Sequence, residues 1–368
     1  MDSSPEVIRD SMNSPFPTYL KNANSSLFYD PPQGLLPRPV LIGVMAVCIL
    51  LFAVGVVGNV ITILLVSRYK EMKTTTNLYL SSMALSDLLI FLGMPLDLYK
   101  IWKHRPWSLG QLLCKLPQFV SEGCTYSSAL HITALSVERY VAICFPLKAK
   151  VLVSRSRVKA VILGLWTAAL ASAGPVLALV GVEFENGTDP AETGECKCTE
   201  YGVRSGLLNA MLWMSSLYFF VPACCLTVLY GLIGRKLWRR QRIHGDRSSR
   251  HTVKMLAVIV LVFVLCWLPF HIEHNLFLLT AGSAEVYTVR QYLHAVSFAL
   301  FYLSAAINPV LYNLMSAKYR TAAGKLLGLR QAEESRRRRR RRMRRKRTQS
   351  PPGRSKSGQC CPGSESVV

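Results

Sequence analysis

Charge is scarce in this chain. Only 18% of its 368 residues are Asp, Glu, Lys or Arg, where soluble globular domains carry about a quarter. Hydrophobic residues make up 51% and the mean hydropathy is +0.26, which excludes a disordered or fibrous chain and fits an ordinary soluble enzyme poorly. Negative charge is the scarcer sign, with 21 acidic residues against 44 basic ones and a net charge of +23. That surplus does not mark a nucleic-acid-binding protein. From Ser316 to Val368 there are 17 basic and 3 acidic residues, so the tail supplies +14 and leaves +9 for everything before it. Neither HExxH nor GxSxG occurs, which argues against metalloprotease or esterase chemistry. No stretch alternates with period two over membrane-barrel length, so strands are not expected. The chain shows no inverted halves of the transporter kind, and no lysine lies between Tyr292 and Met315 to hold a retinal.

Long apolar runs are what the chain has instead. Val40 to Val66 holds 27 residues without a charge, more than the roughly 20 that cross a ~30 Å hydrocarbon layer. It starts too far in, and runs too long, for a cleaved signal peptide, so the amino terminus is expected to stay attached. Six further runs lie near Asn77 to Leu96, Leu109 to Ile143, Val158 to Val182, Ser205 to Ile233, Met255 to Leu279 and Tyr292 to Leu314. Pro95, Pro175, Pro222, Pro269 and Pro309 fall inside them, as a helical bundle in lipid tolerates. The expected fold is therefore an all-α membrane protein, a seven-transmembrane helix bundle over 40–315, after an N-terminal segment 1–39.

Basic residues in the connecting segments set the orientation. With the amino terminus outside, cytoplasmic segments hold 33 Lys and Arg against 9 outside, and 16 against 9 without the tail. Two glycosylation sequons, Asn24 and Asn186, fall on the outer side. Of the 11 Cys, only Cys114, Cys196 and Cys198 reach the oxidising side. One disulfide is expected to staple the loop after the fourth span to Cys114, with one cysteine left over.

Intramembrane ionisable residues are functional candidates, because a charge in hydrocarbon is costly unless it faces a partner or water. Asp87 is the deepest. Asp97 lies ten residues on, and Glu122 lies in the upper half of the third span, two turns below Cys114. With the loop acids Glu183, Glu185, Asp189, Glu192 and Glu195 they favour a cationic ligand. The plainer alternatives are a capped interhelical hydrogen bond at Glu122 and a solvated surface for the loop. At the cytoplasmic end Arg139 is permanently charged beside Glu138, which can hold it.

Short motifs in span order bring the chain close to a known family. They are Gly58-Asn59, SMALSD ending at Asp87, Glu138-Arg139-Tyr140, Trp166, Pro222 with Tyr230, the CWLP run Cys266 to Pro269, and NPVLY from Asn308 to Tyr312. The chain resembles the rhodopsin-like (class A) G-protein-coupled receptors. Longer runs are similar to the group of ghrelin and motilin receptors: TTTNLYLSSMA (Thr74 to Ala84), ITALSVERY (Ile132 to Tyr140), LIGRKLWRR (Leu232 to Arg240) and LFYLSAAINP (Leu300 to Pro309).

The resemblance implies a plasma-membrane receptor for a ghrelin-like peptide hormone, acting through heterotrimeric G proteins of the calcium-mobilising Gq class and through arrestin. The alternatives are a receptor for another peptide or a constitutively active one. It implies a ligand site from Asp97, Gln118, Glu122, His271, His274 and Phe298. It implies an activation set of Glu138, Arg139, Tyr140, Tyr230, Phe263, Trp267, Asn308, Pro309 and Tyr312. It implies no cofactor beyond a sodium ion held by Asp87 with Asn59, Ser128 and Asn308. It implies a Cys114 to Cys196 disulfide, from the ECKCTE context at Glu195 to Glu200. His274 departs from the group, whose members carry an arginine there that faces the acid at Glu122, and Glu273 stands where they have glycine. A short amphipathic eighth helix is implied within 316–329. Beyond it, 330–368 is expected to be a disordered polybasic tail, and its eleven charges in Arg336 to Arg342 and Arg344 to Arg347 suit anionic lipid.

Overall fold

The computed structural model describes residues 37–103, 106–184, 194–241, 247–279, 284–326 and 328, with backbone alone at 237–241, 247–256, 274–279, 284–288, 315 and 317. Its long helices run α1 Arg38–Arg68, α2 Thr75–Trp102, α3 Gly110–Cys144, α4 Arg155–Ala173, α5 Leu207–Gln241, α6 Arg247–Leu279 and α7 Ala284–Met315. A ten-residue helix, α8 Ala317–Leu326, follows. Local chemistry sets their starts. Pro37 precedes the first turn of α1, where its missing N–H costs nothing. The Thr74 hydroxyl accepts from the Asn77 amide to cap α2, and Ser154 accepts from Arg157 to cap α4. Gly110 opens α3 at φ +79°, a conformation in which a side chain would be strained.

The helices close on themselves: α1 packs on α2 and α7, α3 on α2, α4, α5 and α6, and α7 on α6 and α2. Close approach depends on glycine at two positions of α1. A Cβ on Gly55 would sit 2.2 Å from the Phe91 ring, and one on Gly58 would sit 2.8 Å from Pro309. Asn59 ties α1 to α7 by donating to the Gly55 and Ala305 carbonyls at 3.0 and 3.1 Å. The outside of the bundle is apolar, with Leu50, Val57, Leu92 and Leu163 all exposed, as lipid contact requires.

Among the described residues five helices, namely α1, α2, α4 extended to Leu179, α5 and α7, are long and apolar enough to cross a membrane by length and composition. The sequence reading expected seven. The α3 helix is not among the five; besides Lys115, Glu122, Glu138 and Arg139 it carries Gln118, Ser127, Ser128, His131 and Thr133, polar residues that its central place among four neighbours accommodates. The described apolar part of α6 is Ala257–Glu273.

Two expectations need correction. The fourth run does not continue as one helix to Val182. It ends at Ala173, and after Gly174-Pro175 a single turn, Val176–Leu179, leads into strand β1 Val180–Glu183. Strands are therefore present, since β1 pairs antiparallel with β2 Glu195–Cys198, Val182 opposite Cys196. Four residues per strand are too few for a periodicity to register. Cys114 is bonded to Cys196, which fixes this hairpin to the start of α3. Gln111 Oε1 accepts from the Val182 amide at 2.8 Å, and Gly194 O accepts from the Trp107 amide at 2.6 Å.

A buried histidine joins three helices. His131 of α3 is fully buried, with Nδ1 2.6 Å from the Ser127 carbonyl and Nε2 2.9 Å from Ser82 Oγ of α2. Trp166 of α4 donates to the same Ser82 oxygen at 2.9 Å. With Nδ1 protonated every donor finds an acceptor, so α2, α3 and α4 are locked by one satisfied chain.

Candidate functional site

At the hairpin end of the bundle, three side-chain groups hold the residues expected to meet a ligand. The first is built on Asp97 of α2. Its Oδ2 accepts from Tyr302 of α7 at 2.6 Å and its Oδ1 accepts from Gln118 of α3 at 3.3 Å. Phe298 packs edge-on against Tyr302, with centroids 5.1 Å apart. Asp97, Gln118 and Phe298 are thus brought together, and Tyr302, which no motif singled out, is the residue that joins them.

The second group centres on Glu122. Its Oε1 accepts from the Tyr126 hydroxyl at 2.8 Å, one turn along the same helix. Tyr126 is fully buried and stacks at 4.1 Å on Tyr218 of α5, whose hydroxyl shares a 2.8 Å hydrogen bond with Ser172 of α4. Glu122 is therefore held by its own helix, and the i, i+4 spacing Glu122-Tyr126 is the sequence signal for this contact. The side chain of His274, the expected partner across the bundle, lies outside the described residues. Tyr126→Phe is expected to leave folding intact and to lower ligand potency about tenfold, since a hydrogen bond to a charged group contributes about 1.5 to 3 kcal/mol and only part of that is lost. Concentration–response curves at matched surface expression check it.

His271 belongs to the third group, an aromatic column. It is buried and stacks on Phe219 of α5 at 4.4 Å, with Phe270 at 5.3 Å. Phe219 also meets Phe263 at 5.9 Å, and Trp267 meets Phe263, Phe270 and Phe301 of α7 at 6.4, 5.9 and 5.5 Å. One face of α6 thus joins the hairpin end to the bundle's middle.

Deeper in, Asn308 of α7 donates to Asp87 Oδ2 at 3.1 Å. Ser128 is directed to Ser86 at 3.2 Å and not to Asp87, while Asn59 Oδ1 is buried without a partner. The orphaned amide oxygen, a carboxylate and nearby hydroxyls are hard oxygen donors, the kind a sodium ion takes. At the far end Arg139 pairs with Glu138, whose Oε1 also accepts from Thr75 of α2 at 2.7 Å. The Arg139 Nε and Glu138 Oε2 atoms find no partner. Tyr140 packs on Phe145 at 5.9 Å, and Tyr230 of α5 lies 3.3 Å from Ser136. Tyr312 is buried with an unpartnered hydroxyl. The Tyr319 hydroxyl, at the start of α8, hydrogen-bonds Thr62 of α1.

Cys198 is a free, half-buried thiol. Burial raises its pKa, against the opposing pull of the Lys100 ammonium, so it stays protonated and unreactive near neutral pH. The sequons Asn24 and Asn186, the loop acids Glu185, Asp189 and Glu192, and the tail 330–368 lie outside the described residues.

Comparison with known proteins fits this geometry. Residues 58–312 match the family model "7 transmembrane receptor (rhodopsin family)". The chain is 63% identical over 303 residues to growth hormone secretagogue receptor type 1 of Sus scrofa, covering 80% of this chain and 83% of that one. It is 62% identical over 303 residues to the human receptor of the same name, with the same coverage. It is 48% identical over 343 residues to the human motilin receptor, again covering 80% and 83%.

Proposed function

Because the chain belongs to the rhodopsin family of seven-transmembrane receptors, a multi-pass membrane protein and not an enzyme, we propose that it is a cell-surface receptor for a peptide hormone of the ghrelin and motilin kind. In this reading the hairpin end faces outside the plasma membrane and the Arg139 end meets heterotrimeric G proteins, chiefly of the Gq class, and arrestin. The polybasic tail lies on anionic lipid of the inner leaflet. The observation that carries the reading is the joint presence, on α3, of an acid at the hairpin end and a closed Glu138–Arg139 pair at the other.

A cationic group of the hormone is drawn to Asp97 and Glu122, whose field is strengthened by the apolar surroundings. Competition for Asp97 loosens its bond to Tyr302, and the disturbance reaches Trp267 through Phe301. Repacking of Trp267 and Phe263 swings α6 about Pro269, where the helix already lacks one backbone hydrogen bond. At the inner end Arg139 leaves Glu138 and offers its guanidinium fork to the G protein, while Tyr230 and Tyr312 turn to fill the gap. Asp87, with oxygens from Asn59, Ser128 and Asn308, would hold a sodium ion, whose charge would neutralise the carboxylate and favour the closed state.

Calcium mobilisation in cells expressing the chain, tested with acylated ghrelin, motilin and neuromedin U, checks the proposal. A saturable response to one of the first two is expected. Silence to all of them at verified surface expression would count against it.

A further inference from the structure

Between the hairpin-end turns of α6 and α7 lies a carboxylate that the mechanism does not use. Glu273 of α6 is 4% exposed; its Oε1 is 3.1 Å from Nδ1 of His294 on α7, and its Oε2 is buried with no hydrogen-bond partner. One turn along α7, Ser297 is 3% exposed and its hydroxyl is unpartnered as well. A buried carboxylate oxygen accepts only, so the group that completes it must be a cation or a donor. On one side of the seam the His294 side chain is 61% exposed.

An imidazole nitrogen beside a carboxylate oxygen is the donor pair of zinc-class divalent ions; magnesium and calcium take oxygen alone. With bonds of about 2.1 Å to each, a tetrahedral zinc holds its nitrogen and oxygen ligands about 3.4 Å apart. The two atoms already stand 3.1 Å apart, so insertion needs a shift of a few tenths of an ångström. Among the described residues no three His, Cys, Asp or Glu side chains gather, so Glu273 and His294 are the two such ligands at the seam. Water, or the Ser297 hydroxyl, completes the shell. Two protein ligands bind more weakly than the four of a structural site, which suits an ion that comes and goes.

We propose that Glu273 and His294 form a zinc site bridging α6 and α7. A bound ion ties together the two helices that carry Trp267 and Phe301, and so restrains α6 from outside the hormone contacts.

The test uses untagged full-length receptor in nanodiscs, followed by thermal unfolding during zinc titration. Zinc should raise Tm saturably in the wild type and magnesium should not. His294→Ala, at an exposed side chain, and Glu273→Gln should each remove the saturable rise, and His294→Cys should restore it. No rise in the wild type, or an undiminished one in His294→Ala, overturns the proposal. Neither hormone nor G protein enters this readout, so its failure leaves the receptor reading standing.

Discussion

Replacing Arg139 with alanine will abolish hormone-driven G-protein activation, lowering it by on the order of 100-fold or more, while hormone affinity and surface expression change by less than about threefold; such a split assigns the side chain to the active state alone. The reason is distance and chemistry together. Arg139 and Glu122 share α3 but lie 17 residues apart, about 26 Å along the axis, so no hormone contact at Glu122 reaches Arg139. Arg139 meets Glu138 of its own helix, and Glu138 in turn accepts from Thr75, which leaves the guanidinium held but not enclosed. Arg139→Lys keeps the charge and loses the planar fork, so it should retain only a part of the activity. Nucleotide exchange on purified G protein, run beside radioligand binding, separates the two effects. Retained exchange with lost binding contradicts the assignment.

Replacing Cys196 with serine will remove most receptor from the cell surface, whereas Cys198→Ser will leave expression and binding near wild type. The two cysteines are two residues apart on one strand, yet their situations differ. Cys196 closes a loop with Cys114 across a separation of 82 residues, for which the chain-entropy relation gives about 4.5 kcal/mol, a large share of a domain's stability. Cys198 is free, and burial keeps its thiol protonated, so it neither adds a crosslink nor exchanges into the existing one. Flow cytometry of surface-labelled receptor checks both variants. Equal loss in Cys198→Ser would mean that the bond pairs with Cys198 in the cell.

The spans were legible because lipid imposes one simple demand, length without charge, and α1 meets it over its whole run. The same demand explains where hydropathy alone falters. A central helix such as α3 is shielded by its neighbours and can carry Lys115, Glu122, Glu138 and Arg139, so its run from Leu109 to Ile143 is the least apolar of the seven, and its motif Glu138-Arg139-Tyr140 marks it as well. The hairpin of Val180 with Cys198 was hidden because its stability comes from Cys114, Gln111 and Trp107, residues 82, 71 and 87 positions from their partners Cys196, Val182 and Gly194. Candidate acids could be read from burial cost, but their partners could not. Tyr302 reaches Asp97 across 205 residues of chain, and His294 reaches Glu273 across 21. His131 is a further case, an ordinary-looking polar residue on α3 that proves to hold three helices together.

One measurement reaches the centre of the account: nucleotide exchange on a purified Gq-class heterotrimer, catalysed by the receptor in nanodiscs as acylated ghrelin or motilin is added. Saturable, hormone-dependent exchange that disappears in Arg139→Ala is expected. An unchanged exchange rate at saturating concentrations of both peptides, with receptor shown to be folded, would contradict it.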